Sequence, residues 1–280
     1  MQRKDLVSRD ISSLELQLSV VAPAHNEQEC IEDFVHEMCE TLRPLAVPFE
    51  VVCVDDGSSD QTWQVLQQLR PRFPELRPAA LERNSGQSAA LAAGVSLARG
   101  RYIALIDADL QNDPADIARF FQSLVSRDDL DCLVGVRAQR QDNWLRRISS
   151  RIANAVGFWI TKVAVRDAGC AVKVCRAEYL KRVPFFRGAH RFLTTLVQLD
   201  GARVEELLVN HRPRLKGSSK YGSGLGRTFV ALRDAFGVRW MMDRKIRYAL
   251  KAAEGDQPAS QRSRPVLHED AALRPKLATS

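Results

Sequence analysis

The chain has 280 residues, 45% apolar and 27% charged, a balance that excludes a wholly disordered or fibrous protein and fits one large domain with attachments. Its net charge of +7 is unevenly spread, because residues 1–120 hold 11 Lys and Arg against 19 Asp and Glu, an excess of acid that the remaining residues reverse. A basic second half is expected to meet something anionic, phosphates or a lipid surface; nucleic acid is not expected, since there is neither zinc-finger spacing nor an RNP-type aromatic motif.

Apolar periodicity predicts elements in chain order. Leu16–Ala22 reads as a buried strand, Glu27–Leu42 as an amphipathic helix, and Glu50–Val54 as a second strand stopped by Asp-Asp-Gly-Ser. Asp60–Leu69 is a second helix with Asp60 as its N-cap, followed by a Pro-broken connection, a helix over Gln87–Arg99 and a third strand Tyr102–Ile106. Asp116–Val125 and Trp144–Thr161 read as helices, and Cys132–Val136 and Val204–Val209 as strands. Arg212–Gly226 reads as a basic loop, Leu225–Leu250 as a basic amphipathic helix, and residues 252–280 as a disordered tail. Strands alternating with helices predict an α/β fold with a mostly parallel sheet.

Six Cys without a CxxC pair exclude a disulfide framework and a zinc ribbon, and are expected as buried reduced thiols of a cytosolic protein. The charged N-terminus, MQRKDLVSRDISS, has no apolar signal core, and no window holds 18 uninterrupted apolar residues. The chain is therefore expected not to cross a bilayer by itself.

Ligands of parallel sheets bind beyond the carboxyl ends of the strands. Three polar clusters fall there: Pro23-Ala24-His25-Asn26-Glu27, Asp55-Asp56-Gly57-Ser58 and Asp107-Ala108-Asp109. Two carboxylates one residue apart at a strand end can hold Mg²⁺ or Mn²⁺, which in turn holds a diphosphate. Asp55 and Asp56 suit base or ribose donors, with Gly57 and Asp60 serving the turn. Asn84-Ser85-Gly86-Gln87 opens a run of small residues that suits either a close ligand at a helix terminus or close helix–sheet packing.

Four blocks, SVVAPAHNEQECI, VVCVDDGSSDQTW, RNSGQSAALAAGVSLARGRYIALIDADLQNDP and RPRLKGSSKYG, resemble family 2 glycosyltransferases of the GT-A fold, a Rossmann-like nucleotide-diphospho-sugar transferase architecture. Within the family the chain is most similar to the dolichyl-phosphate mannose synthase branch with its bacterial polyprenyl-phosphate sugar transferases. The resemblance implies a nucleotide-sugar site at Pro23, His25, Glu27, Asp55, Asp56, Gly86, Asp107, Ala108 and Asp109. It implies a metal site at Asp107, Asp109 and Gln111, and an acceptor-phosphate site at Arg137, Arg146, Ser150, Arg214, Ser219 and Lys220. Asp107, Asp109, Arg146 and Arg214 would carry catalysis.

The organisation expected is an extension over 1–15, a GT-A domain over 16–224, an amphipathic helix over 225–251 and a tail over 252–280. The reaction expected is an inverting, metal-dependent transfer of a sugar from a nucleotide sugar to a polyprenyl phosphate at the cytoplasmic membrane face. The hydrophobic C-terminal spans of many bacterial relatives have no counterpart in this sequence, so the membrane would be met directly or through a separate membrane subunit. An alternative is a transferase extending a polysaccharide or lipid-linked glycan, with Asp167 as general base. A non-catalytic sugar-nucleotide-binding subunit fits less well, because the Asp-x-Asp pair is intact. A Rossmann dehydrogenase is disfavoured by the lack of a glycine-rich first turn.

Overall fold

Leu18–Ala24 (β1) and Phe49–Asp55 (β2) are runs whose side chains are almost all buried, as strands covered by helices on both faces require. The computed structural model describes residues 15–137, 165–212, 225–244 and 246. With Leu76–Ala80 (β3), Tyr102–Leu105 (β4), Cys132–Arg137 (β5), Lys173–Arg176 (β6) and Val204–Val209 (β7), these strands form a seven-stranded sheet in the order β3-β2-β1-β4-β6-β5-β7. Every pairing is parallel except the two made by β6, which runs antiparallel to β4 and β5. The α/β architecture and mostly parallel sheet agree with the sequence reading.

Ile31–Leu42 (α1) buries Ile31, Phe34, Val35, Met38, Cys39 and Leu42, the six positions its helical spacing picks out. It begins four residues later than expected, because residues 25–30 form the loop that leaves β1. Thr62–Leu69 (α2) and Pro114–Val125 (α4) share one apolar layer with α1. On the opposite face lie Gln87–Leu97 (α3), Ala177–Lys181 (α5), Leu193–Leu199 (α6) and Leu225–Arg244 (α7). The small residues of α3 serve close packing at Gly94, where a Cβ would run into the Val21 side chain of β1.

Two strands escape the periodicity argument. β3 is a sheet edge and carries Pro78, which an edge tolerates and a central strand does not. β6 has only four residues, too few for a pattern. The cysteine expectation holds for Cys30, Cys39, Cys53 and Cys170, which are buried free thiols, and fails for the other two. The β5/β6 register sets Cys132 opposite Cys175 with Cα atoms 4.0 Å apart, and their sulfurs are bonded.

The helix expected over 225–251 is described as far as Arg244 and packs as part of the compact body, which extends to Asp243. Val238 is buried in the apolar layer of α3 and α6, with Met241 and Met242 half-buried beside it, and Ala235 is buried as well, whereas Phe236 and Trp240 are 57% and 62% exposed. Its apolar residues thus serve two sides of the helix. The 252–280 tail, most of the 1–15 extension and the helix over Trp144–Thr161 lie outside the described residues, as does all but the first residue of the basic loop ahead of α7.

Candidate functional site

The strands β2, β1 and β4 are neighbours and end on one edge: Ala24 pairs with Asp55, and Val21 pairs with Leu105, two residues before Asp107. The loops that leave β1 and β2 are laced together. Asn26 N–H donates to Ser58 Oγ (2.8 Å), Ser59 N–H donates to Asn26 Oδ1 (2.8 Å), and Glu27 N–H donates to Thr62 Oγ1 (2.8 Å). Asn26 takes φ +52°, a left-handed conformation that Asn tolerates better than most residues. The helix expected to be capped by Asp60 starts two residues later, with Gln61 at the N-cap, and Asp60 accepts the Thr62 N–H at 2.9 Å from the position before it. The His25 ring lies 3.0 Å from the Asp56 carbonyl through Nδ1 and 3.0 Å from Asn84 Nδ2 through Nε2; Nδ1–H donating and Nε2 accepting satisfies both contacts.

The adjacent carboxylates Asp55 and Asp56 are both buried and face different ways. Asp55 accepts the Ser58 N–H (3.3 Å) and the Ser58 hydroxyl, beside an open cleft of about 340 Å³ lined by Gly57, Ser58, Trp63, Leu81 and Glu82. Asp56 accepts the amides of Ser85 (2.7 Å) and Gly86 (2.9 Å), holding the loop that opens α3. Gly86 thereby reaches the site as a backbone donor already engaged by Asp56.

That loop delivers Gln87, whose Nε2 donates to Asp107 Oδ1 at 2.8 Å. Burial, then the neighbouring Asp109 carboxylate, push the Asp107 carboxyl up to about 6. Ala108 between them is buried, and its carbonyl faces the Cys30 thiol. Asp109 Oδ1 accepts the Gln111 N–H at 3.2 Å across Leu110. Two carboxylates that repel each other when ionised, at a strand end, form a donor set suited to a hard divalent cation. Among the described residues no three His, Cys, Asp or Glu side chains converge as a complete metal cluster. Asp107 and Asp109 therefore fit an ion whose other ligands come from an amide, water and phosphate oxygens.

Below this edge, Lys173 is 3% exposed, pairs with Leu105 and Val134 in the sheet, and donates to the Cys170 carbonyl. Burial holds its ammonium below the usual lysine range, partly offset by the charge of Asp107. At the end of β5, Arg137 grips Asp167 with two parallel bonds, Nε–Oδ2 at 2.7 Å and Nη2–Oδ1 at 2.8 Å. Asp167 is buried, so the candidate base of the alternative reading sits in an ion pair.

The structure thus brings Pro23, His25, Glu27, Asp55, Asp56, Gly86, Asp107, Ala108, Asp109 and Gln111 to one edge, and Arg137 to the β5 end two strands further along. Arg146, Ser150, Arg214, Ser219 and Lys220 lie outside the described residues. Sequence reasoning misses Gln87 as a partner of Asp107, Lys173 beneath the pair, and His190, whose Nδ1 lies 2.8 Å from Ser88 Oγ in the first turn of α3. For Gln87 a signal is present, a polar side chain just past the Ser-Gly turn; Lys173 and His190 offer none.

Residues 19–185 match the model of the family described as glycosyl transferase family 2. The chain is 39% identical over 236 residues to dodecaprenyl-phosphate galacturonate synthase of Rhizobium johnstonii, a match covering 83% of this chain and 69% of that protein. It is 33% identical to undecaprenyl-phosphate 4-deoxy-4-formamido-L-arabinose transferase of Edwardsiella ictaluri, over 73% of this chain and 63% of that protein. The chain thus spans about two-thirds of the length of these relatives. Among solved structures, glucosyl-3-phosphoglycerate synthase of Mycobacterium tuberculosis, in complex with Mn²⁺, UDP-glucose and glycerol 3-phosphate, aligns with a TM-score of 0.58 at 17% identity, covering 81% of this chain and 80% of that one. At that identity the likeness is one of fold.

Proposed function

Because the chain belongs to glycosyl transferase family 2, we propose that it is an inverting transferase that moves a sugar from a nucleotide sugar to a polyprenyl phosphate. The carrying observation is the Asp107–Asp109 pair at the end of β4, oriented by Gln87 and set beside the β1 and β2 loops. The lipid-phosphate acceptors in the names of the two relatives support the acceptor class. The first relative makes a nucleotide-linked galacturonate the first donor to assay.

The residues then divide the work. Pro23, His25, Glu27 and Asp55 line the edge where base and ribose would lie, with Asp56 holding the Ser85–Gly86 loop against it. Asp107 and Asp109, with Gln111 beside them, would hold Mg²⁺ or Mn²⁺, which when bound neutralises charge on the departing diphosphate. Mn²⁺ in the structural neighbour supports that choice. A phosphate acceptor is mostly dianionic at pH 7, its second pKa being about 6, so its oxygen attacks the anomeric carbon without a protein base. This agrees with an Asp167 engaged by Arg137 rather than poised beside an acceptor. Arg137, Arg146, Ser150, Arg214, Ser219 and Lys220 are the residues we assign to the acceptor phosphate. Arginine forks suit that task because they grip phosphate in two-pronged fashion.

Such an acceptor lives in a bilayer. No helix among the described residues is long and apolar enough to cross one. We assign membrane contact to the outer side of α7, where exposed Phe236 and Trp240, one turn apart, stand near Arg233 and Arg239, with side chains 73% and 40% exposed. Aromatic rings at the acyl boundary with arginines towards anionic head groups make an interfacial anchor at the cytoplasmic face, each cation contributing about 1 kcal/mol. A Phe236→Ser/Trp240→Ser double variant should stay in the supernatant with anionic vesicles that sediment the parent at low salt. A parent that never sediments would assign membrane contact to a separate subunit.

The function itself is tested by incubating the full chain with a panel of UDP- and GDP-sugars, a polyprenyl phosphate and Mn²⁺, and reading lipid products by mass spectrometry. A glycosylated lipid phosphate from one donor is expected. Sugar transfer to a glycan in its absence would favour the polysaccharide alternative.

A further inference from the structure

Between the two groups Asp109 and Gln111, Leu110 adopts φ +60° while only 8% exposed. A leucine in the left-handed region is strained, and such a conformation persists only where the surroundings impose it. The residues that follow Leu110 are fastened to the chain that leaves β7. Arg119 on α4 donates to the Leu208 carbonyl, and Asn210 N–H donates to Asp116 Oδ2 at 2.8 Å. His211 forms an antiparallel bridge with Asn112, and Arg212 N–H donates to the Gln111 carbonyl at 2.8 Å. Residues 208–212 are thus fastened step by step along the turn that carries the carboxylates and the helix behind it.

Arg212 closes this strap. Its Nη1 meets Glu37 Oε1 on α1 at 2.7 Å, and its Nη2 meets Asp113 Oδ1 at 3.0 Å. Asp113 in turn accepts the Ala115 N–H at 2.9 Å and caps α4. One planar guanidinium therefore ties α1 to Asp113 at the start of α4, a two-sided grip that lysine's single point charge cannot reproduce, while the Arg212 backbone N–H holds the Gln111 carbonyl at the end of the carboxylate turn. We propose that Arg212 is a positioning residue that keeps Leu110 left-handed, so that Asp107, Asp109 and Gln111 face one divalent ion. This rests on the metal-assisted reading above and adds to it a residue that touches neither the ion nor a substrate.

The test titrates Mn²⁺ alone into the full chain and reads free Mn²⁺ by electron paramagnetic resonance. Arg212→Met should raise the Mn²⁺ dissociation constant about tenfold, and Arg212→Lys, which can keep one of the two pairings, about threefold. In turnover, the KM for Mn²⁺ should rise more than kcat falls. Adding Leu110→Gly to Arg212→Met should recover much of the affinity, since glycine holds the left-handed turn without help. Should Arg212→Met fail to fold, Glu37→Gln removes the α1 pairing alone and should still weaken Mn²⁺ about threefold. A folded Arg212→Met or Glu37→Gln variant with parental Mn²⁺ affinity overturns the inference. A parent that does not bind Mn²⁺ contradicts the metal-assisted reading, and the inference with it.

Discussion

Asp107→Asn should separate stability from activity. The Asp107 carboxyl is pushed from 3.8 up to about 6, first by burial and then by Asp109. An acid whose folded pKa is raised binds more protons folded than unfolded between those two values, so its contribution to stability falls as pH rises through that window. At 1.36 kcal/mol per pH unit the full cost above pH 6 is about 3 kcal/mol, and solvent reaching this partly buried residue reduces it to about 1–2 kcal/mol. Asparagine keeps the shape, can still accept from Gln87 and carries no charge. In EDTA the variant should therefore unfold at higher urea than the parent at pH 8, with the gap shrinking to about half by pH 5. Its turnover should nevertheless fall by at least about a hundredfold. Urea melts of both proteins at the two pH values give the comparison. A metal-free Asp107→Asn less stable than the parent at pH 8 would refute the picture of a carboxylate pair held under strain for a cation.

Asp109→Asn should lose about a hundredfold or more in turnover with circular dichroism unchanged, and excess EDTA should silence the parent. Gly57 sits at φ +58°, and a Cβ there would collide with the Arg83 and Asn84 backbone, so Gly57→Ala should lower the melting temperature and, by displacing Asn84 beside His25, weaken nucleotide binding in calorimetry. Arg146→Ala and Arg214→Ala should raise the KM for lipid phosphate by about tenfold or more while donor affinity without acceptor stays near parental; lost donor affinity would move these residues to the other substrate.

Much of the fold and of the donor edge is legible in the amino-acid sequence, for a plain reason. Parallel strands buried on both faces need uninterrupted apolar runs, and the polar residues that stop those runs must lie at the ligand-binding edge, so SVVA, VVCV and YIALI locate three clusters at once. Orientation is not legible. Asp55 and Asp56 look equivalent in the sequence, yet alternation along an extended chain sends one towards Ser58 and the other towards the Ser85 and Gly86 amides. Contacts between distant segments are hidden for the same reason. Nothing in the composition ties Arg212 to Glu37, 175 residues away, or sets Cys132 opposite Cys175 across a strand only four residues long. α7 misleads through its composition, since Val238 and Trp240 contribute alike to an apolar count while one faces the body and the other solvent.

In the proposed reaction a lipid phosphate oxygen replaces the nucleotide at the anomeric carbon. The most direct measurement is ³¹P NMR of the purified lipid product together with identification of the released nucleotide. A single phosphodiester joining sugar and lipid is expected, with one nucleoside diphosphate released per turnover and none formed in EDTA. A lipid diphosphate accompanied by nucleoside monophosphate, or a sugar joined to a hydroxyl with the lipid phosphate unchanged, would contradict it.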